Sequence, residues 1–328
     1  MNIGKKAASA VAFLTLLSLI PTSVTLASEQ APHSLQSVQH EVMKAKSNAV
    51  SYDIMTWTPA GYDESGETRY PVLIVLDGAQ SIGMAVATVQ LQTITGEARP
   101  IIIAGVSTAA PGNHGIQRSI DYSADVPSLA VPRGADYSFW EYFNQYYAQL
   151  GLKFEDGFGG TEEFYGFLTG QLLPELQKKY RVDPEEIGLA GFSSGGDFAA
   201  DTLLRKNTPF TRFIIGSFGA DVLAARLPER EKAFAQMDAS RPLKVFCGYG
   251  GDELADPNLH HYIQSGLDLM NRLKASDQDD LTIIIRGYPR ETHGSVYPHI
   301  FSSGVRELWG TGMRMTEVMQ ERMAATVQ

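Results

Sequence analysis

Along the chain, short continuous apolar runs alternate with longer stretches whose apolar positions recur at helical spacing. "VLIVLDG" (Val72 to Gly78), "PIIIAGV" (Pro100 to Val106), "EIGLAGF" (Glu186 to Phe192), "FIIGSF" (Phe213 to Phe218), "LKVFCGYG" (Leu243 to Gly250) and "LTIIIRGY" (Leu281 to Tyr288) have the look of strands buried on both faces. "VSYDIMTWTP" (Val50 to Pro59) mixes β-branched and aromatic residues and reads as a further strand, followed by a polar turn region from Ala60 to Pro71. Helical patterns cover Glu162 to Tyr180, the stretch after Gly196, His261 to Lys274 and Tyr297 to Leu308, and the tail from Met313 to Gln328 reads as a polar helix. Strands joined by helices of this length require right-handed crossovers, so the pattern predicts an α/β domain with a mainly parallel sheet and helices on both faces. No internal repeat interrupts it, and a single domain over 49–328 follows, preceded by a polar lead-in at 28–48.

The first 27 residues stand outside that pattern. Lys5 and Lys6 form a positive start, Ala7 to Ile20 is an uncharged and mostly apolar stretch, and Pro21 breaks it before the small residues ending at Ala27. This arrangement predicts a cleaved Sec-type signal peptide and a periplasmic or secreted product. The apolar stretch is shorter than the roughly 20 residues a membrane helix needs, so no stable span is expected after cleavage.

Composition narrows the function. The 328 residues are 44% hydrophobic and 20% charged, an ordinary globular balance. Lys+Arg 27 against Asp+Glu 37 gives a formal charge of −10, which argues against a nucleic-acid partner, since phosphate binding needs clustered positive charge. Loss of Lys5 and Lys6 with the leader would bring it to −12. The lone Cys247 can form neither an intramolecular disulfide nor a cysteine-type zinc site. Asp252, Glu253, Asp256, His260 and His261 are close in sequence but lack metalloprotease spacing, so no metal and no cofactor is expected.

The chemistry concentrates in "GLAGFSSGGD" (Gly188 to Asp197). Ser193 alone has glycine at both minus two and plus two, Gly191 and Gly195, which makes it the nucleophile candidate of a G-x-S-x-G turn. An apolar strand enters the motif and a helix-compatible segment leaves it, the context such a turn requires. A serine hydroxyl also needs a general base and an orienting acid, in the chain order serine, acid, histidine. His293, in the loop after "LTIIIRGY", is the base. The acid comes from the loop after "LKVFCGYG": Asp252 is favoured for its position nearer the strand end and its short side chain, with Glu253 as the alternative and Asp256 as a distant third. His33, His40, His114, His260, His261 and His299 read as surface or helix-end histidines.

The oxyanion hole should use the amide of Ser194 and a second amide from the loop after "VLIVLDG", Gly78 or Ala79. Asp77 in that loop reads as a turn-forming carboxylate, and Asp197 as a complement to the helix N-terminus.

"YPVLIVLDG" (Tyr70 to Gly78), "AGFSSGG" (Ala190 to Gly196) and "ETHGSVYP" (Glu291 to Pro298) together resemble the esterase branch of the α/β-hydrolases, which includes siderophore esterases, feruloyl esterases, S-formylglutathione hydrolases and mycolyltransferases. The resemblance extends to "RSIDY" (Arg118 to Tyr122) and to the helix expected over Gly159 to Asp183. It implies the α/β-hydrolase fold, Ser193 as nucleophile, His293 as base, an acid in the Asp252/Glu253 loop, and Arg118 as a group that binds an acidic or polar part of the substrate. Arg118 reads equally as one half of a structural ion pair with Asp121 or another loop acid.

One segment exceeds a minimal version of that fold. Between Val131 and Gly160, Tyr137, Phe139, Trp140, Tyr142, Phe143, Tyr146 and Tyr147 crowd into eleven positions and must pack somewhere. This insertion at 131–160 is either a wall over the substrate pocket, with Trp140 as a platform, or an added helix completing the core.

The sequence therefore predicts an exported serine carboxylic-ester hydrolase acting on a small-molecule ester through an acyl-enzyme. An acyltransferase using the same triad is the first alternative, and a non-catalytic siderophore- or glycan-binding protein the second.

Overall fold

A computed structural model describes residues 37–109, 114–237, 242–276, 278 and 280–326. The predicted signal peptide and the first part of the lead-in lie outside the described residues.

Among the described residues, eight strands form one sheet: β1 (Gln39–Lys44), β2 (Ser51–Trp57), β3 (Tyr70–Leu76), β4 (Ile102–Thr108), β5 (Val182–Phe192), β6 (Arg212–Gly216), β7 (Leu243–Gly250) and β8 (Leu281–Tyr288). Their spatial order is β1-β2-β4-β3-β5-β6-β7-β8. The pairs β1–β2 and β2–β4 are antiparallel and the rest are parallel. The mainly parallel α/β sheet and all seven predicted strands are present.

Alternation along β3 shows why these runs are apolar throughout. Val72, Ile74 and Leu76 join one buried cluster and Leu73 and Val75 another, one cluster on each face of the sheet. The second cluster is closed by α1 (Gly78–Thr95) and α10 (Tyr297–Trp309), the first by α6 (Ser194–Leu203), α9 (His260–Lys274) and the long helical stretch α4 (Thr161–Phe167) to α5 (Leu173–Lys179). Those two helices are joined by a wider π turn at Leu168–Leu172. Pro174 lies just beyond it and has no N–H to bond back into the preceding turn, which accounts for the local widening.

Two elements depart from expectation. The polar lead-in ends in strand β1, which pairs with β2 although five of its six residues are exposed. Residues 78–95, to which the sequence pattern assigned no element, form α1; its N-cap Asp77 is in the left-handed region at φ 53°.

The aromatic insertion forms α3 (Phe139–Gln149) and a 3₁₀ turn at Phe154–Gly157. Tyr147, Phe154 and Phe158 bury themselves with Ile116 of α2 (His114–Tyr122) as a small satellite core, with Trp140 and Phe143 against its edge. Gly157 is required there, because a Cβ would lie 2.2 Å from the Tyr147 ring. The remaining helices are α7 (Leu227–Phe234), α8 (Gly251–Ala255) and α11 (Met315–Thr326), the last matching the predicted tail helix.

Candidate active site

The site lies at the carboxyl ends of β5, β6, β7 and β8, where open α/β sheets form their crevice. β5 ends at Phe192 and α6 begins at Ser194, so Ser193 must turn the chain in a single residue. It does so at φ 56° and ψ −128°, a conformation that costs a non-glycine residue about 1–3 kcal/mol and persists only where its surroundings enforce it. Its amide donates to the Gly216 carbonyl at 2.9 Å, tying the turn to β6.

The flanking glycines contribute unequally. A Cβ on Gly191 would sit 2.0 Å from the Gly195 carbonyl oxygen, and one on Gly196 would sit 2.7 Å from that of Gly216. Gly195, the plus-two glycine of the motif, would meet nothing nearer than an Asp77 carboxylate oxygen at 3.3 Å. Gly191 and Gly196 are therefore the steric requirements of the turn.

His293 follows β8 on a short loop, and its Nδ1 lies 2.5 Å from Glu253 Oε1. The other oxygen of that carboxylate accepts from the Gly250 amide at 2.6 Å and the Ser217 hydroxyl at 2.8 Å. Glu253 is 1% exposed, and three hydrogen bonds meet the requirement of a buried carboxylate for partners. This corrects the preference for Asp252, which is exposed and whose amide bonds to the Glu291 carbonyl. α8 begins directly at the end of β7, and neighbouring helical residues are turned about 100° apart, so only one of the adjacent pair can face the sheet end. The longer side chain then spans the gap to the imidazole. Asp256, the third option, caps its own loop by accepting from the Asn258 amide.

With Nδ1 held by the carboxylate, Nε2 is the ring nitrogen left to take a proton. Phe192 fixes the plane of the imidazole, its ring centroid 4.8 Å away, and is itself stacked on Tyr297 at 4.7 Å. Ser193, Ser194 and His293 all line one cleft of about 530 Å³, within the usual range of small-molecule sites.

Ser194 is the first residue of α6, where helix N–H groups lack intrahelical partners and the dipole favours negative charge. Of the two candidates for the second oxyanion donor, Ala79 is engaged elsewhere. The Ala79 amide donates to the Ser107 hydroxyl at 2.7 Å. Gly78 is pressed against β4, where a Cβ would lie 2.5 Å from the Val106 nitrogen.

Arg118 faces the same turn from behind. Its Nε and Nη2 donate to the two Asp77 oxygens at 2.7 and 2.9 Å, and Nη2 also approaches the Phe192 carbonyl at 3.5 Å. The pair is mostly buried and matches the structural reading, an ion pair with a loop acid; the Asp77 carboxylate meets Arg118 in place of the backbone amides expected for it. Asp121 accepts from Tyr52 and Gln117 instead, and burial pushes its carboxyl up to about 7.

Asp197 is likewise more than a helix complement. It is 2% exposed, and its Oδ1 accepts from the Gly219 amide at 2.9 Å and the Tyr262 hydroxyl at 2.7 Å. Burial raises its carboxyl to about 8, the two hydrogen bonds opposing. It links α6 to α9 beneath the cleft.

The aromatic segment is both a wall and an added core. Tyr137, Phe139 and Trp140 line the cleft, while Tyr147 anchors the satellite core behind them. Asn258, which no sequence signal marked, accepts from the Asp136 and Tyr137 amides at 3.0 and 3.2 Å and pins the wall to the loop before α9. Among the described residues, no group of three or more His, Cys, Asp or Glu side chains is arranged to hold a metal, and no helix is long and apolar enough to cross a membrane.

Comparison with known proteins matches residues 49–281 to the Esterase family model, described as "Putative esterase". The ferri-bacillibactin esterase BesA of Bacillus subtilis is 22% identical over 242 residues, covering 72% of this chain and 78% of that protein. Among solved structures, the BES protein of Bacillus cereus superposes with a TM-score of 0.66 at 22% identity, covering 83% of this chain and 95% of that one. The siderophore hydrolase EstB of Aspergillus nidulans gives 0.67 at 17%, with 87% and 99% covered. An IroE-like serine hydrolase from Shewanella oneidensis gives 0.66 at 19%, with 83% and 80% covered.

Proposed function

The chain belongs to the esterase family of the α/β-hydrolases, and on that premise we propose that it is an exported serine carboxylic-ester hydrolase working through an acyl-enzyme on Ser193. The observation that carries the reading is the convergence of a strained serine turn and a carboxylate-bound histidine on one cleft.

In this mechanism the Ser193 hydroxyl attacks the ester carbonyl while His293 Nε2 takes its proton. Glu253 holds the imidazole in the tautomer that leaves Nε2 free and stabilises the imidazolium that forms. The Ser194 amide faces the oxyanion of the tetrahedral intermediate. His293 then returns the proton to the departing alcohol, and water, activated by the same nitrogen, releases the acid.

Siderophore esters enter as candidate substrates through the names of the relatives; the site's own chemistry supports ester hydrolysis as a class. Export is supported by the positive start, the short apolar stretch and the small residues up to Ala27. Two measurements test the reading. Turnover of an aryl ester should release acid and alcohol in equal amounts, whereas an acyltransferase given an acceptor alcohol would release less acid than alcohol. The intact mass of the protein recovered from its producing cell should lack the first 27 residues, and retention of Lys5 and Lys6 would contradict export by cleavage.

A further inference from the structure

The cleft beside Ser193 is uneven in its chemistry. Val126, Val131, Tyr137, Phe139 and Trp140 give it apolar and aromatic surface, and Tyr137 and Phe139 remain 51% and 45% exposed at its mouth. Among the described residues lining it there is no lysine or arginine; its charged side chains are Asp125 and Asp221, beside the imidazoles of His261 and His293. Asp125 is engaged by Arg226 at 3.2 Å. Asp221 faces only an imidazole, that of His261 at 3.9 Å, and accepts from the Ser265 hydroxyl at 3.2 Å. Arg118, which would have been the site's cation, is bound to Asp77 outside the cleft.

Two consequences follow from elementary electrostatics. Beyond the α6 N-terminus at Ser194, a negatively charged group entering this space finds no lysine or arginine among the described lining residues and meets the partly exposed carboxylate of Asp221. An uncharged apolar or aromatic group loses little on leaving water and gains contact with three aromatic faces.

We infer that the site selects esters whose group seated in the cleft is apolar and carries no negative charge, with Tyr137, Phe139 and Trp140 as the recognising face and Asp221 as the residue that turns anions away. The inference rests on the ester-hydrolase reading above and specifies its substrate class.

The test compares ester pairs that differ by one carboxylate on either side of the scissile bond: p-nitrophenyl butanoate against p-nitrophenyl hemisuccinate, and phenyl acetate against 4-acetoxybenzoate. For at least one pair, kcat/KM should be tenfold or more lower for the anionic member, and Asp221→Asn should narrow that gap at least threefold. Phe139→Ala, at an exposed position, should lower kcat/KM for p-nitrophenyl 3-phenylpropanoate more than for the acetate. No gap in either pair, or a gap that Asp221→Asn leaves unmoved, would overturn the charge filter; an unchanged ratio in Phe139→Ala would overturn the aromatic face. If Ser193→Ala hydrolyses these esters as fast as the unaltered protein, the hydrolase reading fails instead. The charge preference is then read by equilibrium binding of 3-phenylpropanamide against succinamate, where equal binding would overturn it.

Discussion

His293 and Glu253 are joined by a 2.5 Å hydrogen bond from a partly exposed imidazole to a carboxylate with almost no solvent access. The carboxylate is in turn fixed by a backbone amide at the end of β7 and by Ser217, which sits in the left-handed region at φ 42° at the end of β6. The orientation of the imidazole is thus set by two strand ends of the rigid sheet.

That relationship predicts unequal effects for two neighbouring acids. Glu253→Gln should lower kcat by about 10²-fold or more, because the amide can present an N–H to Nδ1 and favour the wrong tautomer. Asp252→Asn should stay within about twofold of the unaltered protein, as an exposed substitution outside the hydrogen-bonded set. Steady-state kinetics on a short aryl ester decides between them, and the reverse ranking would return the role to Asp252.

The Asp77–Arg118 pair should matter to stability and to the serine turn together. Arg118→Met leaves a buried carboxylate without its partner next to Gly195, and should cost about 3 kcal/mol in urea unfolding. Adding Asp77→Asn to it should recover part of that loss, since the unpaired charge is removed. A double variant no more stable than Arg118→Met would show that the pair is not the source of the loss.

Asp197 predicts a pH signature. Its folded carboxyl titrates at about 8 against about 3.9 for an unfolded aspartate, so the folded protein holds a proton that the unfolded chain releases. The stabilisation from that proton is complete below pH 4 and is lost as pH rises through 8. Asp197→Asn, which keeps an acceptor for Gly219 and Tyr262, removes this term. Its stability relative to the unaltered protein should therefore rise with pH across that window, and a flat difference curve would refute the assignment.

Much of this was legible in the sequence because the signals were strong and local. Continuous apolar runs located six strands and a stretch of β-branched and aromatic residues a seventh, while the glycine pattern and the loop after the last strand singled out Ser193 and His293, on which the proposed mechanism rests. β1 was not legible, since an exposed edge strand has no alternation to read. α1 carries buried Ile82, Ala85, Val86 and Val89 at helical spacing, but its many β-branched and small residues blur the period. The choice between Asp252 and Glu253 depended on helix α8 starting at the strand end, a boundary that patterns of single residues do not fix. The partners of Arg118, Asp197 and Asn258 are 41, 22 and about 120 positions away in sequence, and such pairings emerge only from the folded topology.

The central claim is that Ser193 is the nucleophile, and covalent labelling tests it most directly. Intact-mass analysis after treatment with a fluorophosphonate should show one adduct on the protein and none on Ser193→Ala, with aryl-ester turnover falling at least about 10³-fold in that variant. A folded, unaltered protein that takes up no probe, or a Ser193→Ala variant labelled to the same extent, would contradict the account.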